Sequence, residues 1–423
     1  MPLAIVGIAH ALLLFFLIKF LLPTVRSAPL ARLFVPSLIF KILMGWLLGG
    51  IFSFYYGGGD TIHYFNDASA LAQLAVEQPL TYLKVLLGWQ APPFSLVYLN
   101  QPRALFFDKL VSLAAIFSYQ NYWIASVYFS LLSFAGCWKL ANALSRHFPR
   151  HQAAAAIAFL FYPSVVFWSA GILKESVAVA AITLMVHQTL KLTTQSRANK
   201  RRVGIVLSLI GAGWLLWQLK YYYAGVLIPS LGSVVWAQHL LKQKSLAITL
   251  GLFLVGWTVG GALLSLLHPL LGIGQLADIL IYKHDTMVRL SDPSYVINFS
   301  ALDGSVGSFL INTPWALFSG LFRPLVGEGN TLLQWIAALE NSTLLLLAGA
   351  ALVHRQWRRA LPGDKLWVVA ALLYIAILSV MLAFASPNFG SLVRYRVAYL
   401  PFLVFLILAG NPWVRSLRGR LLR

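Results

Sequence analysis

The sequence predicts an all-α fold: a polytopic transmembrane helical bundle forming one membrane domain over residues 1–423. Three observations lead there. Hydrophobic residues make up 59% of the chain and charged residues 10%, against roughly 45–50% and about 25% in an ordinary soluble domain. Apolar runs close to the ~20 residues needed to cross a hydrocarbon layer recur along nearly the whole chain. Lys and Arg fall in short clusters between these runs, and no Ser/Pro/Gly linker divides the chain into blocks. Such a composition excludes a water-soluble globular enzyme. The net charge of +20 reads as membrane topology and not as nucleic-acid binding, because the basic residues are not gathered on one soluble face.

Taken in order, the apolar runs place spans near 3–22, 34–56, 122–144, 153–170, 172–190, 203–219, 222–240, 246–267, 331–353, 366–386 and 396–411, about 11 in all. The first lacks a basic leading region and a small-residue cleavage site, so the expectation is a retained helix and not a cleaved signal peptide. The segment 104–118 is too short and too charged for a clear span and reads as re-entrant or interfacial. Cys137 is the only cysteine, which leaves no intrachain disulfide and no cysteine-based metal site. It lies in an apolar run and is expected in buried packing.

Orientation follows from the basic residues, since short loops rich in them stay in the cytoplasm. With the turn holding Arg26 and Arg32 inside, alternation places 145–152, 191–202, 241–245, 354–365 and 412–423 inside as well. More than half of the 32 Lys and Arg then lie on that side, but of the twelve acids only Asp364 does. The acids and their partners are thus expected outside. Two extracytoplasmic loops are long, 57–121 and 268–330, and a short one covers 387–395. In the first, Ile62, Phe65, Ala68, Leu71, Ala72 and Ala75 recur at near-helical spacing until Pro79, the pattern of an amphipathic helix on the membrane surface. The second mixes charges, aromatics, Gly and Pro; its aromatic content argues against disorder, and it contains no clean span.

The residues suited to chemistry cluster on the outer side. Gly57-Gly58-Gly59 lets the backbone turn sharply at the end of a span and delivers Asp60 to the start of the next helix. Asp60 reads either as that helix's N-cap or as a general base that takes a proton from an acceptor. His63, Tyr64 and Asp67 follow on the same helix. Lys174 and Glu175 interrupt an apolar hairpin, either paired with each other or a neighbour, or with Lys174 holding a phosphate as a point charge. Lys220 opens a Tyr221-Tyr222-Tyr223 run that suits an aromatic belt. Arg323, Glu328 and Glu340 form a further polar group, Glu340 either partnering a buried base or facing a cavity. Arg394 and Arg396 lie where the chain re-enters the membrane, against the positive-inside tendency. Their planar forks suit phosphate oxygens, and the five cations Lys174, Lys220, Arg323, Arg394 and Arg396 are expected to converge on a lipid-linked phosphate.

The spacing supports no resident metal and no cofactor, with a divalent ion shared by Asp60, His63 and Asp67 as the open alternative. The nearest approach to a divalent-ion set is Asp60 with His63 and Asp67; His284, Asp285 and Asp292 have no recognisable ligand pattern. Neither a Walker loop, nor a GxGxxG after a strand, nor a nucleophile elbow is present, which argues against nucleotide hydrolysis and serine-hydrolase chemistry.

The run Asp60, Tyr64, Ala68, Leu71, an aspartate leaving an early span in a D-x-x-x-Y-x-x-x-A-x-x-L pattern, resembles the first extracytoplasmic loop of the GT-C glycosyltransferases. The similarity is to the dolichyl-phosphate-mannose protein mannosyltransferase and lipid A aminoarabinose transferase group. Arg394-Tyr395 followed by Pro401 is similar to the Arg-Tyr pair that opens a late span in such enzymes. The two motifs cover about 25 residues. Departures are Thr61, where a second acid is usual, and the additional span before the Asp60 loop, which point to a divergent member. The resemblance implies sugar transfer from a polyprenyl-phosphate-linked donor to a glycan, lipid or protein acceptor, with Asp60 as the catalytic base. It further implies a multi-pass protein of a bacterial inner (plasma) membrane, active outside and serving cell-envelope polysaccharide. Two rivals stand beside this reading: a lipid-linked polysaccharide polymerase or ligase, and a transporter or flippase, although no internal repeat of the kind many transporters carry is visible.

Overall fold

The computed structural model describes residues 3–194, 202–240, 245–268, 272–329, 331–353, 365–411 and 414. Most of the basic segments expected inside, 191–202, 241–245, 354–365 and 412–423, lie outside the described residues. The remainder is helical: α1 (Leu3–Arg26), α2 (Phe34–Gly50), α3 (Asp60–Glu77), α4 (Pro79–Leu87), α5 (Pro102–Phe117), α6 (Tyr122–His147), α7 (Gln152–Ala156), α8 (Pro163–Trp168), α9 (Lys174–Thr194), α10 (Arg202–Leu240), α11 (Leu246–Leu267), α12 (Ile273–Arg289), α13 (Val306–Phe322), α14 (Leu332–Val353), α15 (Lys365–Ala385), α16 (Phe389–Tyr395) and α17 (Leu400–Ala409). It is an integral-membrane architecture in which the most apolar helices expose much of their surface, as they do where the solvent is lipid.

Among the described residues seven helices are long and apolar enough to cross a membrane, or eight if α16 and α17, bent by 72°, form one broken span. That is fewer than the sequence count, for three physical reasons. The apolar run of α1 is interrupted near its end by Lys19 and Pro23. Residues 153–170 do not run as one helix: α7 passes into a π turn and stops at Tyr162, since Pro163 cannot continue the ladder and begins α8 at its first position. The expected pair 203–219 and 222–240 is joined without a loop into the 39 residues of α10. Straight, these would run about 58 Å, nearly twice the hydrocarbon thickness. Instead Lys220 leaves helical geometry (φ −146°, ψ 69°). Leu209, Ile210 and Trp214 before it line one cleft with Ile228, Leu231 and Val235 after it, so the chain doubles back at that lysine.

At the centre lies α9, packed along α6 and α10 and buried over most of its length. Small residues make this possible: Gly136 on α6 faces Ala180 and Thr183 of α9 at a distance that leaves no room for a Cβ. Cys137 is buried here. One end of the bundle carries the polar residues. There the Gly57–Gly59 turn, with φ positive at all three, ends α2 and its π extension and launches α3. The apolar side of α3 does not lie on lipid. Tyr64, Ala68 and Leu71 are buried, Tyr64 stacking with Tyr98 and Phe107 as α3 packs on α5. The helix lying open at the edge is α4, with Leu80, Leu83 and Leu87 exposed. The loop 268–330 departs further from expectation, for it holds the amphipathic α12 and a 17-residue apolar helix, α13. Pro314 inside α13 and the polar Asn312 and Thr313 disguise its apolar character in the sequence.

Candidate functional site

The first turn of α9 begins just after Gly171, another positive-φ glycine, and puts two charged side chains at the top of the most buried helix. Glu175 has a side chain with 0% exposure, and its two oxygens take two cations from distant parts of the chain. Lys220 Nζ, at the α10 reversal, lies 3.0 Å from Oε1, and Arg394 Nη2, on α16, lies 3.0 Å from Oε2. Arg394 then reaches outward, its Nη1 donating to Asp60 Oδ2 at 2.6 Å. The Tyr98 hydroxyl donates to the other oxygen, Asp60 Oδ1, at 3.0 Å. One guanidinium fork thus bridges a fully buried and a 41%-exposed carboxylate, a task for which a lysine has the wrong shape. Burial pushes the Asp60 carboxyl up, but the Arg394 charge and the hydrogen bonds from Arg394 and Tyr98 outweigh it and hold it below the ordinary carboxylate range.

The capping alternative for Asp60 is settled by this geometry. The N-cap of α3 is Gly59, at φ 125° and ψ −179°, and the Asp60 carboxylate faces Arg394 and Tyr98. Likewise Lys174 does not pair with Glu175. Its ammonium sits over the Tyr64 ring, 5.0 Å from the centroid, and 6.0 Å from that of Tyr98. Asp67, one turn along α3, accepts hydrogen bonds at 3.1 Å from the backbone N–H groups of Val97 and Tyr98 and so fixes the loop that carries Tyr98. His63 is half-buried on the same helix. Among the described residues no three His, Cys, Asp or Glu side chains form a metal-binding group.

The other predicted residues form a second cluster. Arg323 pairs with Glu328 at 2.7 Å and is sandwiched between the rings of Trp315 and Phe389. Arg396, fully buried, donates to Asn341 Oδ1 and, at 3.3 Å, to the Arg323 carbonyl oxygen. Glu340 accepts from the Ser164 hydroxyl at 2.7 Å and its N–H at 3.2 Å, satisfying the first turn of α8. Here the five expected cations divide: Lys174, Lys220 and Arg394 meet, while Arg323 and Arg396 are engaged elsewhere.

Beside the first cluster opens a cavity of about 510 Å³ between α5, α9, α10, α12 and α15. Lys174 and Lys220 line it together with Arg103 and Lys283, and its described lining holds no carboxylate. Leu276, Ile279, Leu280 and Met287 from α12 and Met381 and Leu382 from α15 make its far wall apolar. A site of this kind, with Arg103, Lys174 and Lys220 at one side and an opposite wall that is apolar except for Lys283, favours an amphiphile with an anionic head. Sequence reasoning missed Arg103, Lys283, Tyr98 and the buried Asp108. The available signal was Gln101-Pro102-Arg103, a helix start that places a cation in the first turn of a segment set aside as too short. No protein-family model, no curated protein and no solved structure matches this chain.

Proposed function

We propose that the chain is a membrane glycosyltransferase of the GT-C type. In this reading it moves a sugar from a polyprenyl-phosphate-linked donor to a glycan, lipid or protein acceptor on the extracytoplasmic side of a bacterial plasma membrane. Its support begins with one observation: the Tyr98 ring has the Lys174 ammonium over its face and Asp60 at its hydroxyl. A partly exposed carboxylate and the cationic wall of an amphiphile-sized cavity are therefore separated by a single side chain. The lipid phosphate sits against Lys174, Lys220, Arg103 and Lys283, which stabilise the charge that develops on it as the sugar departs. Asp60, aimed by Arg394 and Tyr98, takes the proton of the acceptor hydroxyl or amine. Arg394 and Tyr98 hold Asp60 ionised, so it is available to accept that proton. The expected count of about 11 spans belongs to this topology. It takes each half of α10 as a span and the broken runs of 153–170 and α16–α17 as one crossing each.

A polymerase or ligase needs a second site for a lipid-linked anion. Two further clefts, of about 340 and 550 Å³, are lined by the described residues of α9, α10 and α11, with no charged side chain in either, which favours the single-donor reading. The test is transfer by purified protein from a polyprenyl-phosphate sugar, comparing Asp60→Asn and Lys220→Ala with the parent. Asp60→Asn is expected to lower turnover about 10²–10⁴-fold with donor affinity kept, and Lys220→Ala to weaken donor binding. Parental turnover by Asp60→Asn removes the mechanism. Movement of the lipid between leaflets without any transfer replaces it with a flippase.

A further inference from the structure

Asp108 lies on α5 with no exposed surface, and neither carboxyl oxygen has a hydrogen-bond partner. A buried carboxylate is ordinarily held by donors or a cation, because burial penalises the charged form. Asp67 on the adjacent helix shows the normal solution, two backbone N–H groups on one carboxylate. Asp108 has no such provision, yet it sits in charged surroundings. The titratable groups about it are Tyr64 and Asp67 on α3, Tyr98 on the loop, Lys109 on its own helix and Lys174 on α9. Tyr122 on α6 is tied to Thr61 at 2.8 Å, and Lys220 and Arg394 lie beyond Lys174. Burial raises its proton affinity, Asp67 raises it further and Lys174 opposes both; together they push the carboxyl up to about 8. Lys174 is the shared element, lining the cavity and lying within electrostatic reach of Asp108 behind the Tyr64 and Tyr98 rings.

We propose that Asp108 is a proton-carrying positioning residue of the anion cavity: protonated, it leaves the charge of Lys174 to a bound phosphate, and ionised, it competes for that charge. This rests on the cavity being a phosphate site. The sign follows directly. Below about pH 8 the carboxyl keeps its proton and does not draw on the charge of Lys174. As pH rises through that value Asp108 ionises and the affinity for an anion falls. A bound anion in turn strengthens the hold of Asp108 on its proton, so binding on the alkaline side takes up a proton from solvent.

The test uses the full chain in nanodiscs, titrated calorimetrically between pH 7 and pH 9.5 with farnesyl phosphate, whose monoester group has its second ionisation below this range, near pH 6, and separately with inorganic phosphate, whose own ionisation is cancelled by comparing the parent with Asp108→Asn at each pH. The parent is expected to lose about tenfold in affinity across this range, with heats that depend on buffer ionisation. Asp108→Asn, isosteric with the protonated acid, keeps the low-pH affinity throughout and takes up no proton, and Lys174→Arg, whose charge is fixed across this range, changes the absolute affinity yet still loses affinity as pH rises. Binding of farnesyl phosphate alone identifies a lipid headgroup as the ligand, and binding of both identifies a general phosphate site; either supports the proposal. A pH dependence that survives in Asp108→Asn and vanishes in Lys174→Arg belongs to the lysine, overturning the proposal and leaving the cavity reading intact. No binding of either probe at pH 7 overturns both. An infrared titration of the parent needs no variant: a carboxylic C=O band that disappears near pH 8 is expected, and a spectrum without one refutes the assignment.

Discussion

Replacing Glu175 by Gln removes the carboxylate that Lys220 and Arg394 share, and the structure gives the size of the effect. Each N···O separation is 3.0 Å, which at an effective dielectric constant of about 20 corresponds to about 5 kcal/mol of gross attraction per pair. Much of that offsets the desolvation of three buried charges. What remains after the substitution is Lys220 with no carboxylate and Arg394 with only Asp60. Removing one partner from a buried network costs about 3–5 kcal/mol, because the charges left behind stay buried. Asp60→Asn touches the same guanidinium but removes a 41%-exposed carboxylate, so screening by water limits its cost to about 1 kcal/mol or less. The two variants should therefore part in stability, with Glu175→Gln far the more destabilised. Unfolding from detergent is commonly irreversible, so the assay is the apparent thermal midpoint at one fixed scan rate for both variants and the parent. Equal midpoints for Glu175→Gln and Asp60→Asn would refute Glu175 as the hub of the network.

The two arginines of the Arg394-Tyr395-Arg396 run should behave differently. Arg394→Lys breaks a fork that spans two carboxylates and is expected to abolish most transfer while the protein still inserts; parental turnover argues against the bridge. Arg396→Lys disturbs a guanidinium packed against Asn341 and the Arg323 carbonyl. It should lower the thermal midpoint and leave donor affinity unchanged, and the reverse pattern would return Arg396 to the phosphate site. For topology, single cysteines in a Cys137→Ala background should label from outside at position 280 and from the cytoplasm at positions 197 and 358. Labelling of position 280 only from the cytoplasm inverts the scheme.

Much of the bundle was legible because lipid imposes a simple rule: a long apolar run closes its own hydrogen bonds as a helix. The turn at Gly57–Gly59, the helix from Asp60 and the burial of Cys137 followed from local chemistry in the same way. Where the rule misled, the cause was an interruption. Pro163 divides a run whose composition alone reads as one span, and Pro314 hides α13 inside a loop. The α10 reversal at Lys220 was read as a hairpin, correctly, although no loop residues separate its halves. For the site, residue types at an outer hairpin marked Lys174, Glu175 and Lys220, but partner choice was out of reach. Whether Glu175 meets Lys174, its neighbour, or Arg394, 219 residues away, depends on how helices rotate about their axes. Asp108 was missed for a related reason, since a lone acid in a segment too short and too charged to span is ordinarily solvated.

The bond between Asp60 and Arg394 closes over 334 residues of chain, and this has a consequence for biosynthesis. At roughly 5–20 residues per second, a ribosome needs roughly 20–70 s to make that interval. Throughout it Asp60, and for the last 219 residues of it Glu175, stand without the guanidinium that bridges them. Lys220 arrives first and can serve Glu175 alone. The nascent chain therefore carries an unfinished electrostatic seam until its last re-entry into the bilayer. A truncation between Glu175 and Arg394 leaves both carboxylates without that guanidinium and the seam open.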